Sequence, residues 1–147
     1  MRRRGFTVLF VVGTALWPLH IHAQQSRTIP RIGVLLPGSR ASFSLRTKAF
    51  LDGLRELGYV EGRTIAIEWK WGDDRLDTLS GLAADLVRSN VDVIVTGGTS
   101  AAKALEATTQ TIPIVMAIVG DPVAAGLVDS LARPGGNATG FSLLLRS

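Results

Sequence analysis

The sequence contains no cysteine, and its two histidines stand at positions 20 and 22. The absence of cysteine excludes a disulfide scaffold and a thiolate metal site. Beyond position 22 the chain has no imidazole to serve as the usual general base or to complete a Ser-His-Asp triad. It also lacks a P-loop and the Gly-x-Ser-x-Gly motif. We therefore predict no catalytic residue, no metal and no cofactor, and an exported α/β hydrolase becomes an unfavoured alternative.

The first residues have the pattern of a secretory signal peptide. Arg2, Arg3 and Arg4 form a basic start, residues 6–19 are apolar, and Ala23 offers a small residue at a cleavage point. The apolar run is short for a membrane span of about 20 residues, which counts against an uncleaved anchor. We predict that residues 1–23 are a signal peptide cut after Ala23 and that the mature protein is periplasmic.

The positive charge of the chain belongs mostly to this segment. The whole sequence has 16 basic and 12 acidic residues, a formal charge of +4. Of the 16 basic residues, three are Arg2, Arg3 and Arg4, which leaves 13 against 12 and a charge of +1. A domain so close to neutral lacks the basic surface that nucleic-acid binding requires. We predict no nucleic-acid partner.

From residue 31 onward, apolar runs alternate with amphipathic segments. Residues 24–30 are predicted to be a flexible leader. Strands are predicted at 31–36, 64–69, 91–95 and 114–118, with a fifth strand or a crossover at 141–145. Helices are predicted at 45–57, 78–89 with Asp77 as its cap, 100–107 and 123–132. Short connections between such elements predict an α/β domain: a doubly wound parallel sheet of four to five strands with helices on both faces. The alternating second strand is predicted to lie near the sheet edge.

Small and polar residues follow three of the predicted strands. Because the carboxyl ends of parallel strands meet at one edge, these loops are expected to converge and to hold a small molecule. The predicted ligand-binding residues are Pro37, Gly38, Ser39, Thr96, Gly97, Gly98, Thr99, Ser100, Gly120 and Asp121. Purely structural roles stay open: Ser39 as a plain loop residue, Thr99 as a helix cap, and Asp121 as the cap of a helix that starts with Pro122.

Two further groups are interpreted as structural. Asp73, Asp74 and Asp77 are predicted to lie in a solvated loop rather than to bind a metal. Trp69 and Trp71 flank Lys70 at a strand end, where packing is favoured over a ligand-stacking platform, although the platform stays an alternative.

Several motifs in fixed order resemble a known family. They are residues 31–35, 50–63, 91–96, 111–115, and the stretch from Gly120-Asp121-Pro122-Val123 to Arg133-Pro134-Gly135-Gly136-Asn137-Ala138-Thr139-Gly140. They resemble the N-terminal part of the ABC transporter substrate-binding proteins of the TrpX-like type. The resemblance implies a type 1 periplasmic binding protein fold, in which two α/β lobes enclose a ligand. Residues 31–147 are then expected to form the N-terminal lobe, with the second lobe absent.

The resemblance implies an exported, non-enzymatic component of an ABC import system. Its partners would be a small solute, such as an amino acid, and an ABC permease in the inner membrane. We expect a truncated protein with weak or no ligand binding, in which self-association through the uncovered cleft face could replace the second lobe. A sensory or interaction lobe of the same fold, contacting a membrane receptor, is the alternative.

Overall fold

The computed structural model describes residues 28–129 and 135–142, so the predicted signal peptide lies outside the described residues. Five strands and three α-helices follow one another in alternation over most of this length. They are β1 (Arg31–Leu36), α1 (Ser44–Glu56), β2 (Ala66–Trp71), α2 (Leu79–Arg88, preceded by a 3₁₀ turn at Leu76–Thr78), β3 (Val93–Gly97), α3 (Thr99–Thr108), β4 (Ile114–Val119) and β5 (Ala138–Ser142). None of the helices in the two described ranges is long and apolar enough to cross a membrane.

All five strands are parallel and lie in the order β2-β1-β3-β4-β5. The chain starts in the middle of the sheet, places β2 on one side of β1 and then crosses to the other side with β3. This reversal creates a topological switch point between β1 and β3. The predicted doubly wound α/β fold is confirmed, as is the edge position of β2.

The main core lies between the sheet and helices α2 and α3. Leu35, Ile94 and Ile114 point from three adjacent strands into this layer and are fully buried. Leu86 of α2 and Leu105 of α3 meet them and are equally inaccessible to solvent. Fully burying such a side chain stabilises the fold by roughly 1.5–3 kcal/mol. This layer therefore holds the sheet and its loops in place.

Helix α1 lies on the opposite face, so helices cover both faces of the sheet. Its Phe50 meets Trp69 of β2 edge to face, with ring centroids 6.3 Å apart. Yet α1 has no fully buried residue. Between α1 and the sheet runs an apolar groove lined by Val34, Phe43 and Val95, among others. The described residues thus cover this face less completely than the α2–α3 face.

Two strands lie further along the chain than predicted. Thr64 and Ile65 belong to the turn after α1, because the Thr64 hydroxyl accepts a hydrogen bond from the Val60 amide and the Ile65 carbonyl accepts one from Gly62. Strand β2 therefore begins at Ala66. Strand β3 extends through Gly97, which corrects the prediction that residues 96 and 97 lie in a loop.

Two predicted helix starts also need correction. Asp77 does not cap α2; its carboxylate accepts a hydrogen bond from Arg75, and the capping residue Thr78 makes no side-chain cap. The predicted helix 123–132 is one hydrogen-bonded turn in the described residues, because Gly126 adopts a φ of +74°, which an α-helix cannot continue. Residues 130–132 of that prediction lie outside the described residues. The last strand begins at Ala138, three residues before the predicted 141–145, because Ala138 pairs with Ile114 of β4. Residues 143–145 of that prediction lie outside the described residues.

Candidate functional site

The loops after β1, β3 and β4 meet at the carboxyl edge of the sheet. A Cβ atom on Gly98 would lie 3.0 Å from Cγ of Pro37, so the first two loops touch. The Gly98 amide donates to the carbonyl of Ile118 at 2.5 Å, which joins the second loop to the end of β4. A Cβ atom on Gly120 would lie 4.0 Å from Oγ1 of Thr99. The predicted convergence of these three loops is therefore observed.

Helix α3 begins at this edge with glycine as its capping residue. Gly98 has a φ of +91°, a conformation that residues with a Cβ rarely adopt, and it makes no side-chain cap. Thr99 is the first residue of the helix, so the alternative in which its side chain caps α3 is not what the structure shows. The first amides of a helix attract anions because they lack intrahelical acceptors and carry the positive end of the helix dipole. This helix start can accept a carboxylate.

Asp121 provides the opposite charge at the same edge. Its Oδ1 accepts hydrogen bonds from the amides of Val123 and Ala124, both at 3.0 Å. These bonds show the local capping role that the sequence suggested. Oδ2 accepts no hydrogen bond from the described residues, and Asp121 is exposed. The carboxylate is thus oriented by its own turn while one oxygen remains available to a ligand cation.

Ser39 and Thr96 use their hydroxyl groups within the protein. Ser39 Oγ accepts from the amide of Ser42 and donates to its hydroxyl, both at 3.2 Å, which closes the turn before α1. Thr96 Oγ1 donates to the Leu35 carbonyl at 2.8 Å, and the residue is fully buried. Direct ligand contacts by these two residues stay predictions, and the half-buried segment 98–100 offers the more accessible groups of the second loop.

A fourth loop, after β2, packs its backbone against the loop after β1, while Asp73, Asp74 and Asp77 are exposed to solvent as predicted. The amides of Asp73 and Asp74, after β2, donate to the carbonyls of Gly38 and Pro37 at 3.2 and 2.8 Å. Asp73 and Asp74 adopt φ angles of +48° and +60°. Aspartate is among the few non-glycine residues that tolerate this region. A Gly-Asp-Asp sequence directly after a strand was the available signal for this tight loop, which holds the backbone of Pro37 and Gly38 in the loop after β1.

Comparison with known proteins agrees with this architecture. Residues 31–145 match the family described as ABC transporter substrate binding protein, and the chain belongs to that family. A curated relative, the tyrosine-binding protein of Clostridioides difficile, is 35% identical over 117 residues, which are 80% of this chain and 34% of the relative. The chain thus spans about a third of the length of that relative. The family comprises binding proteins rather than enzymes.

Two solved structures that are 35% and 30% identical in sequence to this chain share its fold. An ABC domain of Streptococcus pneumoniae in complex with L-Trp superposes with a TM-score of 0.73 at 35% identity, covering 78% of this chain and 39% of that one. A ligand-free, open substrate binding protein with adhesive properties from Clostridium difficile superposes with a TM-score of 0.72 at 30% identity and the same coverage.

Proposed function

We propose that this chain forms one wall of an amino-acid binding site in an ABC import system. The observation that carries the proposal is the pairing of opposite charges at the carboxyl edge. The start of α3 can hold a carboxylate, and Asp121 can hold an ammonium group. The two groups are neighbours, because a Cβ atom on Gly120, the residue before Asp121, would lie 4.0 Å from Oγ1 of Thr99 at the helix start. An amino acid carries these two charges on one carbon.

The relatives support an amino acid with an aromatic side chain. One is named for tyrosine binding, and another was crystallised with L-Trp. We extend the proposal to export through residues 1–23 and to delivery of the solute to a membrane permease, on the basis of the family and of the signal-like first residues. The described loops contact a ligand from one side only, so we expect the 147-residue chain to bind L-Trp weakly, with a Kd of about 1 mM.

The proposal can be tested by NMR titration of the 147-residue chain with L-Trp. We expect the largest shifts at the amides of Gly98, Thr99 and Gly120. Tryptamine lacks the carboxylate and N-acetyl-L-tryptophan lacks the ammonium charge, so each should bind more weakly than L-Trp. Asp121→Asn keeps an oxygen for the two capping hydrogen bonds but removes the charge. It should weaken L-Trp binding about threefold to tenfold without changing the unfolding midpoint.

An absence of shifts up to about 10 mM L-Trp would contradict the proposal. So would equal binding of L-Trp and tryptamine, because the start of α3 would then have no role in recognition.

A further inference from the structure

We propose that a second cavity, between α1 and β2, binds a planar aromatic ring that carries a carboxylate. The cavity has a volume of about 220 Å³ and is lined by Arg40, Thr47, Leu51, Glu61, Trp69 and Trp71. It is separate from the meeting point of the loops after β3 and β4. The proposal goes beyond the amino-acid site and does not depend on it.

The two tryptophans form a ready platform for a ring. Trp69 and Trp71 stand two residues apart on β2, and their rings stack with centroids 5.6 Å apart and an interplanar angle of 3°. Side chains two apart on a strand point to the same face. Trp69 therefore covers one face of the Trp71 ring. The other face of Trp71 meets no further aromatic ring among the described residues.

Neighbouring groups hold this platform in place. The Phe50 ring packs against Trp69 at 89°, and Trp69 Nε1 donates to Oε1 of Glu61 at 3.0 Å. Trp69 thus has contacts on its ring and on its polar atom, and it fixes Trp71 in turn. A preformed stacking surface binds a planar ring without first ordering its own side chains, which lowers the cost of association. Trp71, the last of the three packed rings, is only half-buried. Packing within the protein does not account for this exposure.

Arg40 determines the charge of the expected ligand. It lines the cavity and forms no ion pair within the described residues, although six other such pairs are formed there. A guanidinium group binds carboxylates through two parallel hydrogen bonds. Glu61 lines the same cavity, and because its carboxylate repels a second one, a ligand carboxylate is directed toward Arg40 and away from Glu61. The ring then rests on Trp71.

Phenylacetate is a suitable probe because it carries the ring and the carboxylate but no ammonium group. We expect it to shift the indole Nε1–H signals of Trp69 and Trp71 in NMR spectra of the 147-residue chain. Cyclohexylacetate, with the same charge but no planar ring, should bind at least threefold more weakly. Benzyl alcohol, with the ring but no carboxylate, should also bind more weakly.

Single substitutions test separately the part of the cavity that would bind the carboxylate and the part that would bind the ring. Arg40→Gln should weaken phenylacetate binding about threefold to tenfold. Arg46→Gln is the control, because Arg46 lies over the ring of Phe43 at 5.3 Å and does not line this cavity. Trp71→Leu should weaken binding by a similar factor, whereas Trp71→Phe should retain most of it. Asp121→Asn should leave phenylacetate binding unchanged.

Three results would overturn the proposal: no indole shifts up to about 10 mM phenylacetate, equal binding of cyclohexylacetate, or unchanged binding in Arg40→Gln. Shifts confined to Gly98 and Gly120 would also overturn it, since phenylacetate would then occupy the amino-acid site. Failure of L-Trp to bind at that site would leave the present prediction standing, because the two ligands report on different residues.

Discussion

Gly72 occupies the point where the loop after β2 presses against the loop after β1, and Gly72→Ala tests that contact. A Cβ atom at position 72 would lie 2.6 Å from the Pro37 carbonyl oxygen and 2.8 Å from Cδ2 of Leu79. The φ angle of Gly72 is outside the left-handed region, so alanine fits the backbone conformation and only the missing space opposes it. Adding one methyl group at position 72 therefore tests how closely the loops after β1 and β2 approach each other.

The expected loss of stability follows from two opposing terms. Forcing an extra methyl group into a closely packed position costs about 1–3 kcal/mol. Replacing glycine by alanine restricts the unfolded chain, which returns about 0.4–1 kcal/mol. We expect Gly72→Ala to lower the free energy of unfolding by about 1–2 kcal/mol.

Gly53→Ala is the matched control. Gly53 lies inside α1, and its Cβ would have no atom within 4 Å. Alanine is favoured over glycine in a helix by about 1 kcal/mol, so this variant should be more stable than the parent. The two substitutions add the same methyl group and should shift urea unfolding midpoints in opposite directions. If Gly72→Ala proves as stabilising as Gly53→Ala, the close approach of Gly72 to Pro37 is refuted.

Two further predictions concern helix α3. Leu105 is fully buried between α3 and the sheet, so Leu105→Ala should lower the free energy of unfolding in urea by about 2–5 kcal/mol; Leu57→Ala, at a position 75% exposed, should change it by less than about 0.5 kcal/mol. Burial raises the pKa of Glu106 above its usual 4.5. A carboxyl group whose pKa is raised by folding destabilises the folded protein when it is ionised, at pH values above the folded-state pKa. Below pH 4.5 the group is protonated in both the folded and the unfolded protein, so this destabilisation disappears. Glu106→Gln should therefore raise Tm at pH 7 and leave it unchanged at about pH 3.5, whereas a gain that persists at the lower pH would contradict the burial effect.

The order and type of most elements could be predicted because local patterns determine them. The apolar run 31–36 is a strand with the predicted bounds, and helix α1 ends at Glu56, just before Gly58 with its φ of +88°. The alternating pattern of the second strand correctly indicated an edge position. Strand ends were less predictable, because hydrogen bonds from the preceding turn moved the start of β2 to Ala66.

The candidate site was predictable at the level of loops but not of single atoms. Parallel strands bring their following loops to one edge, so residues 37–39, 96–100 and 120–121 could be grouped from the sequence alone. No sequence pattern indicates in which direction a hydroxyl group points. Thr96 is one of the predicted ligand-binding residues, and only the structure shows that its Oγ1 donates to the Leu35 carbonyl, because a buried hydroxyl needs an acceptor and that carbonyl is within reach.

The amino-acid sequence by itself determined the α/β class, the parallel sheet, the absence of histidine and cysteine chemistry after position 22, and the edge at which ligands are expected. Three features of the sequence are sufficient for these conclusions: the alternation of apolar runs with amphipathic segments, the residue types that are present, and the parallel direction of the strands that this alternation predicts. Only the tertiary structure decided that the Gly72–Asp74 loop supports Pro37, that Gly98 caps α3, and that the stacked Trp69 and Trp71 line a cavity with Arg40, which has no ion-pair partner among the described residues. The contacts of Pro37 with Gly72 and Asp74, and of Arg40 with the tryptophans' cavity, join residues far apart in sequence, and the conformations of Gly98, Trp69 and Trp71 depend on the packing around them rather than on a local pattern.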